Sequence, residues 1–216
     1  FDAFMRHYLT LKTGDIPRQD GVYGAFKAHA RDPEVAAAGT EALLKDIRLY
    51  AGYYCAMALG KEKRKALREA FLDLRELKVE VAYPFLLEVY GDCAQRLIGD
   101  DELLVRLIEA YVFRRAICLL AANSLNKTFA TFGRALKKDR YLESIKAHFL
   151  LLKSYRRFPR DDEFRQSFEK RDLYNIRTRY WLRRLENHER KERVMLDDYT
   201  IEHIMPQNQT LSPAWQ

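Results

Sequence analysis

Apolar side chains recur every three or four positions along nearly the whole chain, the spacing that gathers them on one face of an α-helix. The opening stretch, FDAFMRHYLTL, places Phe1, Phe4, Met5, Tyr8 and Leu9 on such a face and stops at Gly14. Asp20 offers a cap for a short helix through His29. Pro33 suits the first turn of a long one, PEVAAAGTEALLKDIRLYAGYYCAMAL, with Gly60 as its stop. KEKRKALREAFLDLRELK follows, with Leu67, Phe71, Leu74 and Leu77 at helical spacing. Pro84 opens PFLLEVYGDCAQRLIG, and Asp100 or Asp101 caps an apolar helix that runs to the neighbourhood of Ala122. After a break at Asn123 and Ser124, the segments LNKTFATFGRALKK, YLESIKAHFLLLKSYRRF, DDEFRQSFEKR and NIRTRYWLRRLENHERK read as further helices.

The pattern changes only at the end. YTIEHIM, from Tyr199, alternates β-branched and aromatic residues with others, which favours a strand, and Pro206 ends any ladder there. The expected fold is therefore all-α: a multi-helix array through Arg193, followed by a short β or extended C-terminal segment.

Composition fits a folded chain of this kind, with 48% hydrophobic and 32% charged residues among 216, long enough for a real core. The most apolar stretch, LLVRLIEAYVFRRAICLLAA, is interrupted by Arg106, Glu109, Arg114 and Arg115. It is too charged for a membrane span and reads as a buried core helix, with the two adjacent arginines forming ion pairs or capping helix ends. No membrane partner is expected. Cys55, Cys93 and Cys118 form no CxxC pair and no disulfide framework, which fits free thiols in a reducing cytoplasm. The start, FDAFMRHYLT, has neither an initiator Met nor a signal-peptide pattern, as expected of a piece of a longer protein.

Charge is unevenly placed. Residues 1–100 hold 15 basic and 15 acidic residues, so the net +7 belongs entirely to residues 101–216. Residues 127–193 alone hold 20 basic and 10 acidic residues, a local excess that suits a polyanion such as DNA. The alternative is a solvated helical face that happens to be rich in lysine and arginine. On a wheel drawn through the last helix, Arg177, Trp181, Arg184 and His188 share one stripe. Arg179, Arg183 and Arg190 lie on a more polar side, with Arg179 and Arg183 the better placed for phosphates. Arginines flanking an aromatic can grip phosphates and stack on splayed bases. Equally, Trp181 could be core while Arg177 and Arg184 pair with neighbouring carboxylates.

Glu202 and His203 stand side by side, two residues before Met205-Pro206. Such a pair has a use in phosphodiester cleavage. A carboxylate oxygen suits a hard divalent metal, while a neutral imidazole can take a proton from the attacking water. A hydrogen-bonded histidine at a strand edge is the alternative.

YTIEHIMPQN resembles the opening of the HNH, or His-Me finger, nuclease domain at the C-terminus of GmrSD-type modification-dependent restriction enzymes. That pattern, an acidic residue, His, a hydrophobic residue, any residue and Pro, falls on Glu202, His203, Ile204, Met205 and Pro206. RYWLRRLENHERKE is similar to the arginine-rich helix before the motif. FDAFMRHYLTLKTG and YVFRRAICLLAANSLNKTF resemble the family's helical middle region. The resemblance implies a DNA endonuclease of type IV-like, modification-dependent restriction. His203 is then the general base, Glu202 a ligand to Mg²⁺ or Mn²⁺, and Arg177, Arg179, Arg183 and Arg184 contacts to DNA.

It also implies parts for which this sequence has no match. The family's second strand, following helix and later asparagines have no counterpart before Gln216, and Asn208 does not match them. Nor is there a D-G-Q-Q-R-like motif of the family's nucleotide-hydrolysing domain, the route by which a nucleoside triphosphate would act. Residues 1–193 are thus expected to be a helical connector and 194–216 the first edge of the nuclease, inactive by themselves. Against this stands a helical protein-interaction or nucleic-acid-binding module without catalysis.

Overall fold

Most helix boundaries in the computed structural model have a local cause. The structure describes residues 1–99, 101–130, 132–133, 136–174, 176–194, 196, 198–202 and 210. Among them are eleven α-helices and no strand, divided between two units, Phe1–Thr178 and Arg179–Gln216. In the first unit, α1 (Asp2–Thr13) buries Phe4, Met5, Tyr8 and Leu9. It ends at Gly14, whose φ of 78° returns its N–H to Thr10 O at 2.8 Å. α2 (Val22–Ala30) follows a 3-10 turn over Gln19–Gly21. Asp20 lies inside that turn and makes no cap, a correction to the expected start.

The single long helix expected from Pro33 is two. α3 (Pro33–Ala38) is capped by Asp32, whose carboxylate accepts from the Glu34 N–H at 3.0 Å; α4 (Thr40–Ala58) then restarts. Gly39 breaks them apart at φ 86° and ψ 161°, a conformation open essentially to glycine alone. α4 and α1 form one end of the core, where Phe4, Met5, Tyr8, Leu9 and Val22 meet Ile47, Tyr50 and Tyr54. The Tyr8 hydroxyl donates to Asp46 at 2.6 Å, and Lys12 pairs with the same carboxylate at 2.8 Å. His7 lies against Tyr54 and Tyr83, at 6.1 and 5.4 Å between ring centroids. Burial, with Arg6 adding to it, pushes the His7 imidazole down to about 4.

α5 (Lys65–Glu76), α6 (Tyr83–Ala94) and α7 (Asp101–Ile117) make the middle of the unit. Leu67, Phe71, Leu74 and Leu77 are all buried, as their spacing requires, and α5 packs on α7. Between them Arg106 joins the buried carboxylates of Asp73 and Glu109, so the ions pair inside the fold. The N-terminal cap expected of Asp100 or Asp101 lies outside the described residues and side chains. α8 (Leu125–Ala130), α9 (Tyr141–Leu151) and α10 (Asp161–Lys170) complete the unit. Phe129 of α8, Phe132 just after it and Phe149 of α9 close a second core with Phe85 and Tyr111. Tyr111 lies 4.7 Å from Phe149, Phe85 4.8 Å from Phe132, and Phe132 5.0 Å from Phe149, between ring centroids.

The two adjacent arginines of α7 serve this packing, as their place inside an apolar helix predicts. Arg114 pairs with Asp161 at 2.5 Å and lies over the Phe164 ring. Arg115 is only 1% exposed and donates to the carbonyls of Tyr155 at 2.5 Å and Ala121 at 2.6 Å. α7 itself buries Leu104, Val105, Ile108, Tyr111 and Ile117, and no described helix is long and apolar enough to cross a membrane. All three cysteines are free, Cys118 buried and the others half-buried.

In the second unit, α11 (Thr178–Glu186, its first residue being the last of unit 1) leads to the closing segment. Tyr199 to Glu202 form no strand, which corrects the local expectation for them. A strand persists only in a ladder with a neighbour, and no extended segment among the described residues pairs with this one. His203 to Met205 lie outside the described residues.

Candidate functional site

The segment that carries the candidate chemistry starts on the first unit. Pro159 is buried and its carbonyl accepts from Arg114 Nη1 at 3.1 Å. α10 then opens with Asp161, Asp162 and Glu163, anions suited to a helix N-terminus. Phe164 and Phe168 of α10 meet Phe113 edge-on, at 5.8 and 6.5 Å. Past α10, the Asp172 carboxylate accepts from the Tyr174 N–H at 2.9 Å, a side-chain turn that halts the helix-forming pattern.

The arginine-rich helix is shorter than its periodicity suggests. Arg177 has a left-handed φ of 53° and precedes α11, and Thr178 donates its hydroxyl back to Leu173 O at 3.3 Å and to Tyr174 O. At the other end His188 lies past Glu186, and Glu189 reverses the chain at φ 58°. The stripe of Arg177, Trp181, Arg184 and His188 is therefore corrected: only Trp181 and Arg184 are on the helix. Tyr180 is its buried residue, at 5% exposure. Arg183, one turn beyond Tyr180 on the same side, is drawn to half-burial rather than facing solvent as expected. Arg177, Arg179 and Arg184 are positioned differently: Arg177 and Arg184 are exposed, and Arg179 is exposed at the start of the helix.

Asn187, a residue that periodicity passed over, organises the chain beyond the helix. Its side chain donates to Arg183 O at 3.0 Å and to Val194 O at 3.3 Å, and accepts from the Val194 N–H at 2.7 Å. Arg190 turns back on Glu186, with its Nε donating to the Glu186 carbonyl at 2.7 Å and its guanidinium paired with the carboxylate. The only sequence signal for this arrangement was an Asn placed just after the helix end.

From Val194 the chain makes a turn, with the Tyr199 N–H donating to Leu196 O at 3.1 Å, and reaches Glu202. The Glu202 carboxylate is exposed, and one of its oxygens accepts from the Thr200 hydroxyl at 3.0 Å. Among the described residues no group of three or more His, Cys, Asp or Glu side chains gathers in a metal-holding arrangement. His203, Ile204, Met205 and Pro206 lie outside the described residues, so Glu202 is the member of the sequence-derived pair whose surroundings are defined.

Residues 158–215 match the family model for the GmrSD restriction endonucleases, C-terminal domain. No curated protein and no solved structure gives a significant match. The matched span contains α10, α11, the Asn187 contacts, Glu202 and the His203–Pro206 stretch. Over these residues the chain is similar to the C-terminal domain of the GmrSD restriction endonucleases.

Proposed function

We propose that this chain supplies the DNA-gripping helix and the first catalytic residues of a metal-dependent, modification-dependent DNA endonuclease. The observation that carries the reading is a coincidence of position. The acidic-His-hydrophobic-x-Pro pattern at Glu202, His203, Ile204 and Pro206 falls inside the matched restriction endonuclease domain. In this reading residues 1–193 are a helical connector and residues 194–216 the entering edge of the nuclease. The similarity of residues 158–215 to a restriction endonuclease domain supports DNA as the substrate class.

The roles divide by chemistry. His203 takes the proton of the attacking water at an unprotonated ring nitrogen, which makes the water a competent nucleophile at phosphorus. Arg179 and Arg184, exposed on α11, and Arg177 just before it hold backbone phosphates and bring the scissile bond to the pair. Arg183 is half-buried and contributes from the edge of that surface. Glu202 fits a hard divalent cation: its carboxylate is exposed, Thr200 engages one of its oxygens among the described residues, and Mg²⁺ commonly keeps waters in its remaining positions. Such a cation, Mg²⁺ or Mn²⁺, held by Glu202, would supply charge stabilisation at the leaving oxygen. A nucleoside triphosphate enters only through another domain.

The test is cleavage by the full-length protein. His203→Ala should lower the cleavage rate roughly a hundredfold or more while DNA binding is nearly unchanged. Glu202→Ala should be nearly inactive with weakened metal affinity, and Glu202→Asp should keep measurable activity. Wild-type cleavage by His203→Ala overturns the reading. A non-catalytic helical interaction module is then preferred, which the 81% and 71% exposure of neighbouring Leu150 and Leu151 favours.

A further inference from the structure

We propose that Asn187 is the positioning residue of the cleavage site: its amide sets the direction in which the chain leaves α11 for Glu202 and His203. The inference rests on the nuclease reading above and goes beyond it by naming what holds the site in register.

A primary amide carries a donor and an acceptor side by side, as a peptide group does. Asn187 uses both on one residue. Its oxygen takes the Val194 N–H at 2.7 Å and its nitrogen donates to the Val194 carbonyl at 3.3 Å, the pairing a neighbouring strand would provide. The second amide hydrogen goes to Arg183 O at 3.0 Å, a carbonyl of the last turn of α11 that the Asn187 backbone N–H also reaches at 3.1 Å. One side chain thus joins the helix terminus to the returning chain seven residues later.

A further tie across this turn is the Arg190–Glu186 pair, whose side chains are 48% and 44% exposed. An ion pair so exposed contributes little and weakens with salt. The amide ties do not depend on charge. Among the described residues downstream of Val194, the Leu196–Tyr199 turn and the Thr200 contact come before Glu202. The described path from α11 to Glu202 therefore has an anchor at Val194, and Val194 is held by Asn187.

Two variants of the full-length protein test this. Asn187→Asp keeps the acceptor for Val194 N–H but sets oxygen against the carbonyls of Arg183 and Val194. Asn187→Gln keeps both functions on a chain one methylene longer. In each, kcat for DNA cleavage should fall roughly tenfold to a hundredfold, the penalty of a misplaced reacting group. The DNA concentration at half-saturation should stay within about twofold, as expected when only transition-state contacts are lost. Helix content by circular dichroism should be unchanged.

Three outcomes overturn the inference: kcat retained in both variants, half-saturation raised with kcat retained, or helix lost in both. The second would assign the amide to DNA affinity and the third to folding alone. His203→Ala is assayed alongside. If it cleaves like wild type, the nuclease reading itself fails. If it is inactive while both Asn187 variants are fully active, only the positioning role falls.

Discussion

Replacing His7 with Phe should remove an acid sensitivity built into the first unit. The imidazole ordinarily titrates near 6.5, but burial against Tyr54 and Tyr83, with Arg6 beside it, pushes it down to about 4. Between these values the unfolded chain takes up a proton that the folded chain refuses. Stability from the neutral ring is therefore complete above pH 6.5 and declines as pH falls from there towards about 4. Linkage over that interval gives a loss of about 2 kcal/mol on moving from about pH 7.5 to about pH 5. Phe keeps a ring of similar size between the two tyrosines and has no proton to bind. Urea unfolding followed by circular dichroism at the two pH values measures the difference. Burial lowers His148 as well, but that contribution is common to both proteins and cancels on subtraction. Wild type should lose about 2 kcal/mol more than His7→Phe on acidification, the linkage difference for one such site. Equal losses would show that the His7 ring is hydrated and freely protonated in the fold.

Reversing the charges of exposed Arg179 and Arg184 to Glu should abolish DNA binding. Wild-type affinity should fall steeply between ~50 and ~200 mM salt in fluorescence anisotropy, as counterion release requires; unchanged binding by the double variant places the contact elsewhere. Gly39→Ala should cost roughly 1–3 kcal/mol in thermal or urea unfolding, because φ 86° with ψ 161° excludes a side chain even though the space around Gly39 is open. A neutral effect would mean that α3 and α4 can join as one helix. Arg115→Lys should destabilise by about 1–3 kcal/mol, since one ammonium cannot reproduce the planar fork that serves both Ala121 O and Tyr155 O. Undiminished stability to urea would refute the two-carbonyl role.

The helices were legible because each buries an apolar stripe whose period survives in the sequence. Leu67, Phe71, Leu74 and Leu77 are the plainest case. What periodicity misses is backbone geometry. The spacing runs unbroken through Gly39, and only the φ adopted there splits one helix into two. Arg177 likewise fits a helical wheel, yet the Thr178 hydroxyl and a left-handed φ start α11 one residue later. The burial of Arg183 followed from its alignment with Tyr180, which a wheel of charges alone does not rank. The Glu202–His203 pair stood out because it lies just before Met205-Pro206 in a stretch whose alternation departs from the helical period. Asn187 was not, since its partner Val194 is brought near only by the reversal at Glu189.

Arg115 also changes how the chain's charge is to be understood. Its guanidinium is 1% exposed and faces carbonyl dipoles of Tyr155 and Ala121. Mobile ions in solution cannot approach it closely, so added salt mutes it far less than it mutes the exposed lysines. As ionic strength rises, the positive potential over this half of the chain should shrink unevenly and persist longest around Ala121 and Tyr155. A buried cation of this kind acts as a fixed electrode beneath the surface, a bias towards anions that survives where the surface residues have fallen silent.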